Sequence, residues 1–287
     1  MFNHYYSFDT SLCDTSVAFG RFDGMHTGHR AVLKELALLP NSVLISFSKE
    51  NGEVIYTEAE KEFVLKRENI GNMISVSSDI LEQMELAAFV EDYLAGRLGA
   101  RVIVTGENYE KLTELKELCR RFNIDLKIVR TVNDDGREVT TDLVAEYIND
   151  KNADEAIRLM GGCYVLKGSV VHGKGVGKVH GMPTANLSFL PNKIWPKHGV
   201  YASRVFVSDE CFNGMTNVGF RPSDDDVPVA TCETYILDFD RDIYGREIVL
   251  ELYDYIRPVM KFPNLDALKE QIDKDINFIA LKYECVI

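Results

Sequence analysis

The amino-acid sequence predicts a parallel α/β domain followed by an antiparallel β domain. The chain has 287 residues, enough for two domains, since single domains usually hold roughly 100 to 200 residues. The first half alternates short apolar runs with helical segments, the pattern of a doubly wound parallel sheet. The second half has strand-length runs separated by Gly, Asp, Asn and Pro turns, which indicates an antiparallel sheet or barrel. A helix break at Gly161-Gly162 gives predicted domains over residues 1–160 and 161–287.

The composition excludes several classes of function. Hydrophobic residues make up 46% and charged residues 27% of the chain, which is ordinary for a globular protein. The net charge is -13 and there is no dense Lys/Arg run, which argues against nucleic-acid or anionic-membrane binding but not against small phosphorylated ligands. The six cysteines lack metal-site spacing, and no signal peptide or spanning segment is visible. We therefore expect reduced thiols and a cytoplasmic protein, with its oligomeric state left open.

Each element of the first half follows from its periodicity. Apolar runs predict strands, and apolar residues three or four positions apart predict helices. Thr57 and Glu60 have the spacing of a capping box, so a helix should follow Thr57 and end near Glu68. The other predicted helices are 29–39, 86–98, 112–122 and 154–160. The predicted strands are 16–19, 43–47, 74–76, 101–105 and 124–129.

The loop after the first predicted strand is the most informative segment of this half. The loop reads GRFDGMHTGH, from Gly20 to His29, and is called the histidine loop below. Parallel sheets bind ligands at the carboxyl ends of their strands, and the free N–H groups of a helix N-terminus favour phosphate. Two imidazoles would add directional donors. A phosphate site is favoured over the alternative, a plain turn with surface histidines.

The second half is predicted to contain strands over 164–172, 200–207, 214–219, 230–238 and 248–256, followed by a helix over 265–281. A glycine-rich loop follows the first of these strands and contains Gly173, Lys174, Gly175 and Gly177. Its backbone N–H groups could surround phosphates while the lysine supplies charge. The alternative is an ordinary glycine turn.

Three further polar side chains stand out in the second half. Thr184 and Asn186 offer hard oxygen ligands of the kind that Mg²⁺ prefers, although a turn that satisfies its own backbone is a common alternative. Glu233 is one carboxylate in an otherwise apolar strand. A lone strand glutamate usually just faces solvent.

The histidine loop is similar to the G-x-F-D-G-x-H-x-G-H signature of the HxGH nucleotidyltransferases. The closest resemblance is to the adenylyltransferase half of the prokaryotic bifunctional riboflavin kinase/FAD synthetase family. It implies a Rossmann-like domain that transfers AMP from ATP to FMN and forms FAD. The FMN nucleophile is an ionised phosphate, so positioning and charge stabilisation suffice without a general base.

The same resemblance implies roles for the loop residues. His26 and His29 would contact the ATP phosphates, and Asp23 and Gly24 would shape the loop. The implied ATP- and phosphate-binding residues of the loop are Gly20, Phe22, Asp23, Gly24 and Gly28.

Two later segments depart from the family pattern. Where the family usually has G-x-D-F-x-F-G, this chain has Gly106 to Leu112, with Lys111 and Leu112 in place of an aromatic residue and a glycine. The arginine of the family's S-S-T-x-I-R segment falls on Ala145. Loss of a charge-assisted contact to phosphate would weaken ATP binding by about 1.5 to 3 kcal/mol. FAD formation is therefore left open by the sequence.

Four segments of the second half resemble, in the same order, the riboflavin kinase domain of that family. The segments are the glycine-rich loop, Pro183 to Asn186, Asn217 to Ser223, and Cys232 to Phe239 followed by Asp242 to Gly245. The resemblance implies a β-barrel with a C-terminal helix. Its reaction would transfer the γ-phosphoryl group of ATP to the 5'-hydroxyl of riboflavin and form FMN.

The resemblance also implies roles in the kinase domain. Glu233 would act as the base for the hydroxyl group. Thr184 and Asn186 would hold Mg²⁺ and the ATP phosphates, the loop with Lys174 would cover them, and Arg257 would bind the flavin. The implied small-molecule partners are riboflavin, FMN and ATP. A monofunctional riboflavin kinase, or a regulatory protein that binds flavin or nucleotide, remains as an alternative.

Overall fold

The computed structural model describes residues 2–48, 52–79, 83–173, 182–189, 192–222 and 228–282. The chain divides into two compact units, residues 1–144 and 145–287. No helix in the described ranges is long and apolar enough to cross a membrane.

The first unit contains a six-stranded parallel sheet in the order β1-β4-β3-β2-β5-β6. The five predicted strands are all present. The sixth, β1, has only three residues, Asn3–Tyr5, and pairs with β4 at the sheet edge. Its strands are β1 (Asn3–Tyr5), β2 (Thr15–Gly20), β3 (Ser42–Ser48), β4 (Asn72–Ser77), β5 (Ala100–Gly106) and β6 (Asp125–Val129).

Helices connect these strands. Helix α3 begins as a short α-helical turn, Leu86–Ala88, and continues with π-helical hydrogen bonds over Phe89–Arg97. A short hairpin follows β6, formed by β7 (Asn133–Asp134) and β8 (Arg137–Glu138). The other helices among the described residues of this unit are α1 (Thr27–Ala37), α2 (Glu58–Arg67) and α4 (Leu112–Phe122).

The capping box predicted for α2 is confirmed. The Thr57 hydroxyl accepts from the Glu60 N–H at 3.3 Å, and the Glu60 carboxylate accepts from the Thr57 N–H at 2.8 Å. These two bonds satisfy backbone donors that a helix N-terminus leaves free. They fix where α2 starts, and α2 lies beside the histidine loop.

The hydrophobic core of the first unit lies between the central strands and the helices. Val17, Ile45 and Ile103 are fully buried on three neighbouring strands, and Leu115 of α4 and Phe89 of α3 pack in the same cluster. Strands buried on both faces read as nearly continuous apolar runs. This is why residues 43–47 (VLISF) and 101–105 (RVIVT) were recognisable as strands in the sequence.

The second unit contains a closed antiparallel barrel of six strands in the order β10-β13-β12-β11-β14-β9. The sequence predicted five of them. The sixth, β10 (Thr184–Ser188), is short and contains the polar residues Thr184 and Asn186, so it lacked an apolar signal. The other strands are β9 (Tyr164–Val171), β11 (Gly199–Val207), β12 (Glu210–Pro222), β13 (Pro228–Ile236) and β14 (Glu247–Arg257).

Hydroxyl groups as well as apolar side chains fill the barrel. Ser203, Thr216 and Thr234 are buried and form a chain of hydrogen bonds of 2.7 and 2.9 Å between their oxygens. Because side chains alternate along a strand, the neighbours of these residues point out of the barrel. The outward face of β13 therefore includes Glu233 and Tyr235.

The described part of the second unit also has three helices, which are α5 (Thr141–Asn149, which begins in the first unit), α6 (Ala153–Leu159) and α7 (Leu265–Lys282). Helix α6 contacts β14 of the barrel, which is why the division at 144/145 groups residues 145–160 with the barrel. The boundary at 160/161 predicted from the sequence stays a prediction.

Candidate functional site

The histidine loop leaves the sheet at the carboxyl end of β2, next to α1. Phe22 has a left-handed backbone conformation with φ of 46°, and a short 3₁₀ turn over Asp23–Met25 follows. His26 is extended and caps α1. The chain therefore turns sharply between strand and helix and places both histidines at the helix N-terminus.

Asp23 holds this turn in place. Its carboxylate, 5% exposed, accepts the backbone N–H of Ile55 at 3.1 Å and of Tyr56 at 2.8 Å. Gly24 has a φ of 74°, and a Cβ there would lie 3.1 Å from the Ile55 side chain. Asp23 and Gly24 thus shape the loop, and direct phosphate contact by either residue stays a prediction.

The two imidazoles stack, with ring centroids 3.6 Å apart. The His29 backbone N–H donates to Nδ1 of His26 at 3.3 Å, so a neutral His26 has its proton on Nε2. Burial lowers the pKa of His26 to about 4. Burial, His26 and Lys61 together hold the pKa of His29 well below its usual range. At neutral pH both histidines are uncharged hydrogen-bond donors.

His29 has an unused polar atom. Its Nδ1 is buried and lacks a hydrogen-bond partner among the described residues. The ring also lies against Phe22, with centroids 4.7 Å apart. A buried nitrogen without a partner is costly unless a ligand or water satisfies it, so His29 is suited to bind one.

A pocket of about 530 Å³ opens beside the loop, a size that suits a small-molecule ligand. His26, Gly28 and His29 line it together with Thr140 and Thr141. Gly20 and Phe22 of the predicted phosphate-binding set also line it, as does Lys111 at a position that departs from the family pattern. A Cβ at Gly28 would lie 3.1 Å from the His26 ring and from a backbone oxygen, so a larger residue would require these neighbours to shift.

The neutral histidines predict an acid-sensitive first unit. His26 has a folded pKa of about 4 and an unfolded pKa near 6.5, so the unfolded chain binds more protons between these values. The stability that His26 contributes is complete above about pH 6.5 and is lost as the pH falls toward 4, by up to about 3 kcal/mol. Urea unfolding followed by circular dichroism at pH 7 and pH 4.5 measures this loss.

The control for this experiment is His26→Asn, which keeps a cap acceptor but does not titrate. Trp195 is the only tryptophan of the chain and lies in the second unit, so its fluorescence follows the barrel separately. An equal pH dependence in the wild type and in His26→Asn would contradict the prediction.

The second candidate site lies on the outer surface of the barrel. Asn186 on β10 is directly opposite Glu233 on β13, and Glu233 is directly opposite Asn217 on β12. Directly opposed residues of antiparallel strands share a face, with Cβ atoms about 4.5 to 5.5 Å apart. We call Asn186, Glu233 and Asn217 the acid–amide row. One carboxylate thus lies between two amide side chains.

Burial fixes the face on which this row lies. Cys232 and Thr234, the neighbours of Glu233 along β13, are 1% and 0% exposed, whereas Glu233 is partly exposed. Glu233 therefore points out of the barrel, where a substrate can reach it. Thr184 lies on the same face as Asn186, two residues earlier on β10.

A pocket of about 290 Å³ reaches this face of the barrel at Thr184, although the three residues of the row do not line it. Thr184 and Pro183 line one side, and Phe239 and Tyr244 line another. Tyr244 also stacks on His172, with ring centroids 3.9 Å apart. An aromatic-lined pocket beside a hydroxyl group suits a planar ring system that bears a polar extension.

Gly173 begins the glycine-rich loop and packs directly against the row. A Cβ at Gly173 would lie 2.3 Å from the amide nitrogen of Asn186, so a larger residue would displace that side chain. Lys174, Gly175 and Gly177, which the sequence also assigned to phosphate binding, lie outside the described residues.

Arg257 lies at the end of β14 and contacts the C-terminal helix. Its guanidinium bonds to the Asp275 carboxylate twice, each time at 2.8 Å, and lies over the Phe262 ring. Gln271 donates to the same carboxylate at 2.9 Å. The described contacts of the Arg257 side chain are therefore with α7 and with the segment between β14 and α7, and its predicted contact with flavin stays a prediction.

Asn217 was not predicted from the sequence to be a site residue. It lies at the start of the Asn217 to Ser223 segment that carried part of the resemblance, and its register opposite Glu233 adds it to the row. Its position in that segment was the available signal. Strand register was needed to relate it to Glu233.

Fold and site together define a class of protein. Its first unit is a parallel α/β domain whose pocket is of the kind that binds nucleotides, and its second unit is a β-barrel that carries a glutamate between two asparagines. Comparisons with known families agree: residues 9–143 match the FAD synthetase family and residues 160–281 match the riboflavin kinase family. The chain belongs to the bifunctional riboflavin kinase/FMN adenylyltransferase family.

Relatives of the whole chain share this organisation. A protein named bifunctional riboflavin kinase/FMN adenylyltransferase from Listeria monocytogenes is 29% identical, over 90% of this chain and 89% of the relative. One of the same name from Escherichia coli K12 is 28% identical, over 90% of each chain. A crystal structure from Streptococcus pneumoniae, described as a macrolide-efflux protein, superposes with a TM-score of 0.79 at 27% identity, covering 99% of this chain and all of that one.

Proposed function

We propose that the barrel unit phosphorylates riboflavin to FMN with ATP, and that the acid–amide row is its catalytic centre. The observation that supports this most directly is the register of Glu233 between Asn186 and Asn217, beside an aromatic-lined pocket. Family membership over both units supports a role in flavin-nucleotide biosynthesis.

The chemistry of the row suits this reaction. The 5'-hydroxyl of riboflavin is a poor nucleophile, so a base that accepts its proton in the transition state accelerates attack on the γ-phosphorus. Glu233 is the carboxylate of the row and accepts that proton. The neighbouring amides orient the hydroxyl and the phosphoryl oxygens, and the adjoining pocket takes the planar adenine ring.

The same donor set fits Mg²⁺. The Thr184 hydroxyl and the Asn186 amide supply oxygen ligands, and Mg²⁺ usually combines few protein oxygens with water and substrate phosphates. The described residues contain no group of three or more His, Cys, Asp or Glu side chains that could hold a metal ion, so a site shared with ATP fits better than an all-protein cage. When bound, the ion would neutralise developing charge on the phosphates.

For the α/β unit, we propose that it adenylylates FMN and forms FAD. The uncharged donors His26 and His29 and the N-terminus of α1 surround the pocket where the ATP phosphates would lie. FMN supplies an ionised phosphate that attacks the α-phosphorus, and pyrophosphate leaves. The two histidines position the phosphates, and neither histidine has to remove a proton.

The products separate the alternatives. The protein is incubated with riboflavin and MgATP, and riboflavin, FMN and FAD are resolved by chromatography. We expect both FMN and FAD. FMN alone would leave a monofunctional kinase, and no product would overturn the kinase assignment.

A variant distinguishes the two active sites within one chain. His29→Asn removes the ring at the α/β pocket and should lower FAD formation from FMN by at least tenfold, because a preorganised donor is lost. Its rate of FMN formation should stay within twofold of wild type. Unchanged FAD formation would contradict the role of His29.

We also infer a cytoplasmic location. The five cysteines among the described residues are free thiols, which fits a reducing compartment.

A further inference from the structure

Lys61 is a buried cation that the proposed reaction does not use directly. It lies on α2 and is 2% exposed. Its Nζ donates to three oxygens: the Glu58 carboxylate at 2.8 Å, the Ser46 hydroxyl at 3.0 Å and the Arg21 backbone carbonyl at 3.0 Å. Burying an ammonium group is costly unless it is fully hydrogen-bonded, and this arrangement uses all three of its donors.

The contact with the Arg21 carbonyl links Lys61 to the histidine loop. Arg21 is the first residue after β2, and Phe22 next to it has the left-handed backbone conformation. On the far side of Phe22, the Asp23 carboxylate accepts the Ile55 and Tyr56 N–H groups. Phe22 therefore lies between two anchored residues. Lys61 of α2 holds Arg21 on one side, and the segment that leads into α2 holds Asp23 on the other.

Phe22 connects this arrangement to the site. Its ring packs over Gly20, where a Cβ would lie 3.1 Å from the ring, and lies 4.7 Å from the His29 ring. A left-handed conformation at a bulky residue is strained and persists only when the surroundings hold it. A shift of the Arg21 carbonyl would allow Phe22 to move, and the His29 ring would then lose its contact with the Phe22 ring.

A chain of hydrogen bonds holds Glu58, the carboxylate that pairs with Lys61. The other oxygen of Glu58 accepts from the Ser75 hydroxyl at 2.5 Å, and Ser75 bonds to His4 at 2.8 Å. His4 in turn bonds to Glu62 at 2.9 Å. The residues of this chain lie on β1, β4 and α2, so the ammonium group is fixed against the sheet and has little freedom to move.

We propose that Lys61 is a positioning residue of the α/β site: by holding the Arg21 carbonyl it fixes Phe22 and thereby the His29 ring that binds nucleotide phosphate. The positioning role rests on the proposed adenylyl transfer, because it concerns the same pocket. It makes a residue outside the pocket lining a determinant of nucleotide binding.

Lys61→Met in the full chain is the test, with MgATP as the probe. Histidine ring signals are followed by NMR with ring-labelled histidine and assigned with His26→Asn and His29→Asn. Without nucleotide, we expect the His29 signal of the variant to differ from that of the wild type. When MgATP is added, the concentration that half-saturates the change in the His29 signal should be at least tenfold higher in the variant. The KM for ATP in FMN formation should stay within twofold, because the kinase site is separate.

Two further variants serve as controls. Lys66→Met removes an exposed lysine of the same helix that bonds to Glu62, and it should leave the His29 signal and the MgATP response unchanged. Glu58→Gln/Lys61→Met removes both charges, so no carboxylate is left buried without its partner. We expect it to fold and still to show the tenfold loss.

The outcomes are distinct. A His29 signal and half-saturation within twofold of wild type in a folded Lys61 variant would overturn the positioning role alone. Unfolding of the α/β unit in both Lys61 variants would also overturn it, because Lys61 would then act on stability. Absence of any MgATP response in the wild type would overturn the adenylyl-transfer proposal and this role together.

Discussion

Replacing Glu233 by glutamine is expected to lower FMN formation by about 10²- to 10⁴-fold, the usual contribution of a positioned general base. Glutamine keeps the size of the side chain and its hydrogen bonding but does not accept the proton of the riboflavin hydroxyl. The KM for ATP should change little, because the pocket beside Thr184 is intact. Initial rates of FMN formation at saturating riboflavin and MgATP measure the effect.

Glu247→Gln is the matched control for this prediction. Glu247 is a glutamate of the same barrel, on β14, and is 63% exposed beside Lys167. Its replacement should leave FMN formation within twofold of wild type. A Glu233→Gln enzyme with near-normal turnover would remove Glu233 as the base.

Arg257→Met is expected to destabilise the barrel unit by about 3 to 5 kcal/mol, the usual cost of removing one partner of a buried ion pair. Asp275 is 2% exposed, and the Arg257 guanidinium is its cationic partner among the described contacts. Without the arginine, the carboxylate is left in the interface between β14 and α7. Urea unfolding followed by Trp195 fluorescence reports this loss, since Trp195 lies in the same unit.

An exposed ion pair of the same helix provides the comparison. Lys282 of α7 pairs with Asp254 of β14, and the lysine side chain is 52% exposed. Lys282→Met should cost less than about 1 kcal/mol, because exposed pairs contribute little. Similar unfolding midpoints for the two variants would show that the Arg257 pair does not anchor the helix.

Much of the fold could be predicted because its elements have strong local signals. The five predicted strands of the parallel sheet are apolar runs, and the α2 capping box was visible as Thr57 and Glu60. Elements without such signals were missed. Strand β1 is three residues long, and β10 has polar residues on its outer face.

The site was predicted unevenly for a related reason. Residue type and order identified His26, His29, Thr184, Asn186 and Glu233 as candidates. Asn217 was not included, because its relation to Glu233 depends on strand register, which no local pattern expresses. The role of Lys61 was also not visible, since a lysine in an amphipathic helix normally reads as solvated surface.

The sequence by itself determined the two fold classes, the family and the residue types available for chemistry. These depend on periodicity, on turn chemistry and on motifs that lie within a few tens of residues. Only the tertiary structure decided which side chains meet: Glu233 between two amides, Asp23 bonded to backbone N–H groups, Lys61 against Arg21 and Arg257 against Asp275. The physical reason is that hydrogen bonds and ion pairs act over a few ångströms in space, between residues that lie far apart along the chain, such as Lys61 and Arg21, which are 40 positions apart.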